Sequence, residues 1–162
     1  GADLACSACA HSAHSMRLLL GTKIKRSMKG KAKEEATKAA LREACKASRF
    51  PEQLAAHTTK SGKQEYQDFQ ELLRKGGSIS GMNMSKDNNQ RVMALCSAAM
   101  RRARGDIVAK AVAHKDRLGA INWERWLCVQ RLELCEKPLM DTREEEEDED
   151  EEEKADEDEE EL

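Results

Sequence analysis

The sequence predicts an all-α protein, a bundle of four to five helices that is cross-linked by disulfides. Apolar residues recur at three- and four-residue spacing in several segments, and no segment combines strand alternation with hairpin turn signals. The chain also contains six cysteines. An even number of cysteines in a small domain indicates a disulfide framework when the compartment is oxidising.

The helices follow from the apolar spacing and from the residues that interrupt it. In order along the chain, the predicted helices are Leu4–Leu20, Lys33–Ser48, Gln64–Leu73, Asn89–Lys115 and Asn122–Cys135. We expect Gly21 to end the first helix and Pro51 to follow the second. The fourth has the clearest pattern, since residues such as Val92 and Ile107 keep one stripe throughout. Gly119 separates it from the last helix.

The charges divide the chain into two parts. Of its 31 acidic residues, 16 lie in 144–161 beside one base, which gives this segment a net charge of -15. Residues 1–143 retain 27 basic and 15 acidic residues, a net charge of +12. Because an acidic block repels itself and has nothing apolar to bury, we predict a disordered acidic tail over 141–162. The folded domain is therefore predicted to span 1–140.

The folded part is poor in large apolar residues, with two Trp, one Tyr and two Phe in the chain. Its small side chains bury limited apolar area, so disulfides would add needed stability. No apolar run approaches the roughly 20 residues of a membrane span. No signal peptide is visible, and a chain that begins Gly-Ala rather than Met is compatible with a leader that has been removed.

The cysteine layout has a close pair at each end of the folded part, Cys6-x2-Cys9 and Cys128-x6-Cys135, with Cys45 and Cys96 between them. Nested pairing is the simplest plan for antiparallel helices. Six cysteines nevertheless allow many pairings, and spacing alone does not choose among them.

Two other readings of the cysteines are open. Cys6-x-x-Cys9 near a helix start is the motif of a thiol-disulfide oxidoreductase, although the βαβ context typical of that class is missing. The cysteines of the two end pairs could instead form a four-thiolate zinc site. A zinc site from Cys6, Cys9, His11 and His14 is rejected, because one residue between the pairs leaves no room for the chain to fold back.

The six-cysteine order resembles that of the Canopy proteins, which are saposin-like, MIR-interacting proteins of the endoplasmic reticulum. The resemblance rests on Cys6-x-x-Cys9 with Asp3-Leu4 before it, the lone Cys45 and Cys96, and Leu127-Cys128-x6-Cys135. It covers roughly 4–20, 38–48 and 90–140. Residues 49–89 have no counterpart in the pattern.

This resemblance implies a saposin-like bundle with three nested disulfides, Cys6–Cys135, Cys9–Cys128 and Cys45–Cys96. It also implies a non-enzymatic folding adaptor or co-chaperone that binds client proteins or chaperones of the secretory pathway. No catalytic residue is nominated, and no specific cofactor is expected. The implied location is the lumen of the endoplasmic reticulum.

Two short sequences suit that location. The chain closes with four residues similar to the Lys-Asp-Glu-Leu class of retrieval signals, namely Glu159, Glu160, Glu161 and Leu162. Asn83-Met84-Ser85 is a candidate glycosylation sequon.

The acidic tail has three candidate roles: it solubilises the protein, binds calcium weakly, or screens the basic body. The carboxylates nominated for weak Ca²⁺ binding are Glu144, Glu145, Glu146, Glu147, Asp148, Glu149 and Asp150. Clustered carboxylates are hard oxygen ligands for Ca²⁺, but EF-hand spacing is missing.

Basic residues in 23–33 and at Arg101, Arg102 and Arg104 invite a nucleic-acid interpretation. No aromatic stacking platform or recognised nucleic-acid motif accompanies them, so a protein partner is favoured over specific nucleic acid. The Ala-rich helix stripes are better explained as core than as lipid-binding faces. Trp123 and Trp126 are likewise interpreted as core anchors.

Overall fold

The computed structural model describes residues 1–76 and 82–142 of the 162-residue chain. Four α-helices dominate these residues, and their bounds are α1 Ala2–Lys23, α2 Gly30–Glu43, α3 Phe69–Arg74 and α4 Asp87–Ala113. A π-helical segment, Arg125–Arg131, follows, with single 3₁₀ turns at Ala47–Arg49 and Leu118–Ala120. The mostly helical class is therefore confirmed, with one exception.

The exception is a small antiparallel sheet, so the expectation of an all-α fold is wrong in this region. Strands β1 Leu54–Thr58, β2 Gln64–Asp68 and β3 Met82–Asn83 pair in the order β2-β1-β3. The segment predicted as a helix over Gln64–Leu73 is divided between β2 and α3. Pairing with β1 satisfies the backbone of β2, and Gly62 in the intervening turn adopts a φ of +85° that favours glycine.

Helix α1 is the centre of the domain and contacts α2, α4, β2 and both C-terminal segments. The Ser7 hydroxyl accepts a hydrogen bond of 2.8 Å from the Tyr66 amide, which fixes the sheet against α1. At the other end of α1, the 118–120 turn approaches so closely that a Cβ on Gly21 would lie 3.3 Å from Gly119 Cα. Gly21 does not end the helix as expected; its missing side chain permits this contact, and α1 continues to Lys23.

Helices α2 and α4 pack antiparallel. The buried Lys33 ammonium donates a hydrogen bond to the carbonyl of His114 at one end, and Cys45 is bonded to Cys96 at the other. One continuous core lies between the helices and the sheet. Its largest fully buried apolar side chains are Trp123, Met16, Leu19, Leu20, Leu54, Ile107, Leu118, Leu127 and Val92.

Candidate functional site

Two disulfides join the first helix to the final segment, and a third joins two elements in the middle of the chain. Cys6–Cys135 and Cys9–Cys128 connect α1 to the final segment, with Cα–Cα distances of 5.0 and 5.9 Å. Cys45, two residues after the end of α2, is bonded to Cys96 of α4, with a Cα–Cα distance of 5.6 Å. These are the three pairs that the resemblance implies, and no cysteine is left free. Three disulfides are typical of a protein that folds in an oxidising compartment of the secretory pathway or outside the cell.

The two cysteines of the Cys-x-x-Cys sequence are bonded to partners elsewhere rather than to each other. Cys6 is half-buried and lies in the second turn of α1, whereas a helix N-terminus acts on thiols mainly within its first turn. The Cys9 sulfur has no exposed surface. In this arrangement neither sulfur is a thiolate at the protein surface.

The same bonds remove the thiolates that a four-cysteine zinc site would need. Within residues 1–76 and 82–142, no group of three or more His, Cys, Asp or Glu side chains is placed to hold a metal ion. The carboxylates nominated for calcium, 144–150, lie outside the described residues, as do the retrieval-like residues 159–162.

The Trp pair has two different environments. Trp123 is fully buried and its indole N–H donates to the Leu118 carbonyl at 2.8 Å, as a core anchor should. Trp126 packs edge-on against it, with ring centroids 5.7 Å apart, but is only half-buried. The cationic groups of Lys110 and Arg131 lie over the Trp126 ring. Two cation–π contacts therefore form on this partly exposed ring.

His11 contributes a hydrogen bond between α1 and the sheet. Its Nε2 atom lies 2.6 Å from the Tyr66 carbonyl oxygen, at the contact between α1 and β2. Burial lowers the pKa of His11, so the ring is neutral at pH 7 and donates this hydrogen bond. The arrangement joins a helix to the sheet and brings no nucleophile to the ring.

A buried carboxylate fixes the C-terminal end of the described chain. Glu124 accepts hydrogen bonds from the amides of three consecutive residues, Leu139, Met140 and Asp141. Asn122 donates to the Asp141 carbonyl at 2.8 Å, and Arg17 lies 3.6 Å from the Asp141 carboxylate. The sequence pattern does not single out Glu124, although an acidic residue between two predicted core tryptophans is a signal of a buried polar role.

The sequon asparagine is accessible. Asn83 is exposed in β3, where it pairs with Ala56, and its Oδ1 accepts the Ser85 amide at 2.9 Å. The Asn83 carbonyl accepts a hydrogen bond from the buried Asn88 side chain. The residue is thus held at the surface beside the start of α4.

Exposed cations are concentrated in two regions that the sequence had singled out. Arg101, Arg102 and Arg104 lie on the outer side of α4 and form no ion pair within the described part of the chain. A denser group occupies the two connections that follow α1 and α4, where Arg26 Nε and Asp116 Oδ1 are 3.4 Å apart. The predicted basic patch in 23–33 is therefore exposed, except for Lys33, which is buried.

Comparison with family models, curated proteins and solved structures gave no match for this chain. Among the helices of the described residues, none combines the length and the apolar character that crossing a bilayer requires.

Proposed function

We propose that this chain is a folding adaptor or co-chaperone of the endoplasmic reticulum lumen, of the Canopy type. It binds client proteins or chaperones of the secretory pathway and does not itself catalyse a reaction. The observation that carries the proposal is the pairing of all six cysteines in the order that the Canopy pattern implies.

The accessible surface supports an adaptor that uses charged contacts. Large apolar side chains that are well exposed in the described residues are few, namely Leu18, Leu73, Val112 and Met140. Unpaired cations are more numerous, and those of α4 stand on a rigid helix of 27 residues. Charged surfaces of this kind guide partner choice and association rate more than they add affinity, which suits transient client binding.

The alternative function is a thiol-disulfide oxidoreductase that uses Cys6 and Cys9. That chemistry needs one accessible thiolate and a second cysteine close enough to resolve the mixed disulfide. Here Cys9 is fully buried and both sulfurs are bonded to the final segment. These observations favour the adaptor over the oxidoreductase.

One capture experiment separates the two functions. The full chain is added to microsomes that are translating a labelled secretory ectodomain, free thiols are blocked with N-ethylmaleimide, and the chain is recovered. An adaptor releases the ectodomain in SDS without reductant, whereas an oxidoreductase holds it until reductant is added. The matched control is the same chain after reduction and alkylation. Recovery no greater than with this control would overturn the proposal.

The free-thiol content of the purified native chain is the companion measurement. We expect no thiol to react with a maleimide under denaturing, non-reducing conditions, because all six cysteines are paired. Two or more reactive thiols would remove the observation on which the proposal rests.

A further inference from the structure

The two connections that follow α1 and α4 form a strongly basic surface, which we call the basic end. The first connection and the helix residues that flank it supply five exposed cations: Lys23 at the end of α1, Lys25, Arg26 and Lys29 in the connection, and Lys31 in the first turn of α2. The second, 115–117, adds Lys115 and Arg117 together with the one carboxylate of the two segments, Asp116. With seven basic residues and one acidic residue, the basic end carries a net charge of +6.

Most of this charge has no counterion in the folded domain. Within the described part of the chain, Asp116 forms one ion pair, with Arg26, and the other six cations form none. Clustering like charges destabilises a fold unless an opposite charge lies near. The basic end therefore favours the approach of an anionic partner.

The last described residues before the acidic segment lie near this surface. Hydrogen bonds from Asn122 and to Glu124 fix the chain at Asp141. The acidic segment begins three residues later, at Glu144. Arg17 lies against Asp141 and also donates to the Gly119 carbonyl at 2.7 Å. From Arg17, the basic end begins six residues farther along α1, or about 9 Å at the helical rise.

Tethering makes this segment the favoured ligand. Residues 144–161 carry a net charge of -15. At full extension its 18 residues span at most about 60 Å, so the segment can reach a neighbouring surface of this domain. A short tether gives the segment an effective concentration of about a millimolar at this surface. A free anionic partner must reach a similar concentration, or bind more tightly, to compete with it.

We propose that the basic end is the docking surface of the chain's own acidic segment, 144–161. An external polyanion reaches this surface only by displacing the segment. The contact is electrostatic, so it weakens as salt shortens the Debye length from about 14 Å at 50 mM to about 4 Å at 0.5 M.

Zero-length cross-linking of the full chain tests the location. A carbodiimide joins carboxylates of 144–161 to lysines that they touch, and a mixture of ¹⁴N- and ¹⁵N-labelled chains distinguishes links within one molecule from links between molecules. We expect intramolecular links to Lys25, Lys29 and Lys31 to exceed those to three exposed reference lysines at least fivefold at 50 mM salt. Of the reference lysines, Lys60 and Lys63 lie in the turn between β1 and β2, and Lys75 directly follows α3. Equal yields, or links only between molecules, would overturn the proposal.

Matched charge reversals test the consequence. One variant carries Lys25→Glu, Lys29→Glu and Lys31→Glu, and the control carries Lys60→Glu, Lys63→Glu and Lys75→Glu, so both change the net charge equally. In each background the acids of 144–161 are then replaced by Gln or Asn, and heparin affinity is measured at 50 mM salt. We expect neutralisation to raise affinity at least tenfold in the wild type and the control, and less than threefold in the basic-end variant. An equal gain in both variants would show a general charge effect and refute docking at this surface. Thermal melting of each full chain verifies its folding.

Discussion

Replacing Cys6 and Cys135 with alanine removes the outer of the two disulfides that join α1 to the final segment. The sequence separation of 129 residues suggests a loop-closure contribution of about 5 kcal/mol to the free energy of unfolding. That value does not apply here, because Cys9–Cys128 still closes the chain just inside the outer bond. The loop that the outer bond actually closes contains about 12 residues, which corresponds to about 3 kcal/mol.

The two terminal disulfides are consequently not additive. Either one alone still closes the long loop, so each single removal should cost about 3 kcal/mol. Removal of both, in the Cys6→Ala, Cys9→Ala, Cys128→Ala, Cys135→Ala variant, should cost about 8 kcal/mol. Losing Cys45–Cys96, which closes a separation of 51 residues, should cost about 4 kcal/mol.

Urea unfolding of the oxidised proteins at one pH measures these differences. Cysteines are replaced in pairs so that no variant carries a free thiol that could exchange. A cost near 5 kcal/mol for Cys6→Ala, Cys135→Ala with the inner bond intact would refute the short-loop argument. The gap of about 2 kcal/mol between the two expectations is large enough for paired measurements to resolve.

Three further predictions concern single side chains. Burial holds the pKa of His11 below its usual 6.5, so the unfolded chain binds the proton first on acidification. The free energy of unfolding should therefore fall below pH 6.5, by at most about 1.4 kcal/mol per pH unit. Urea unfolding at a series of pH values should show a smaller slope for His11→Gln than for the wild type, and an unchanged slope would contradict the prediction. Glu124→Gln replaces a charged hydrogen-bond acceptor with a neutral one, which should weaken the hydrogen bonds to the 139–141 amides by about 1–2 kcal/mol. Hydrogen exchange of these amides should therefore be faster in Glu124→Gln, and unchanged in the control Glu136→Gln, whose side chain is exposed. When the chain is made in a glycosylating secretory host, Asn83→Gln should abolish an endoglycosidase-sensitive mass increase, and an unglycosylated wild type would contradict the prediction.

The sequence predicts the helices that carry a long apolar period. Asn89–Lys115 was expected and α4 spans Asp87–Ala113, because its stripe, including Val92 and Ile107, is buried along the whole length. The three disulfides follow from the cysteine order once the Canopy resemblance is used. Spacing alone could not choose them, since pairing depends on which helices pack together.

The sheet could not be predicted because its strands lack a clear strand pattern in their own sequences and depend on pairing with each other. In β2, Tyr66 is buried but its neighbours Glu65 and Gln67 are only half-buried, so the period of two is weak. The tight turn around Ser61-Gly62 was the available signal. The hydrogen bonds from the 139–141 amides to Glu124 and the contact between Gly21 and Gly119 join residues far apart in the sequence. Local sequence patterns therefore do not predict them.

The nested disulfides also determine how the domain responds to a pulling force. Tension applied between its two ends passes through the sulfurs of Cys6 and Cys135, so the helices between them carry none of it. Reduction of each disulfide would allow a further length of chain to extend under this tension. The added length is about 35 Å for Cys6–Cys135, about 230 Å for Cys9–Cys128 and about 170 Å for Cys45–Cys96. An enzyme that unfolds proteins by pulling on one end could therefore not extend this domain fully until its disulfides are reduced.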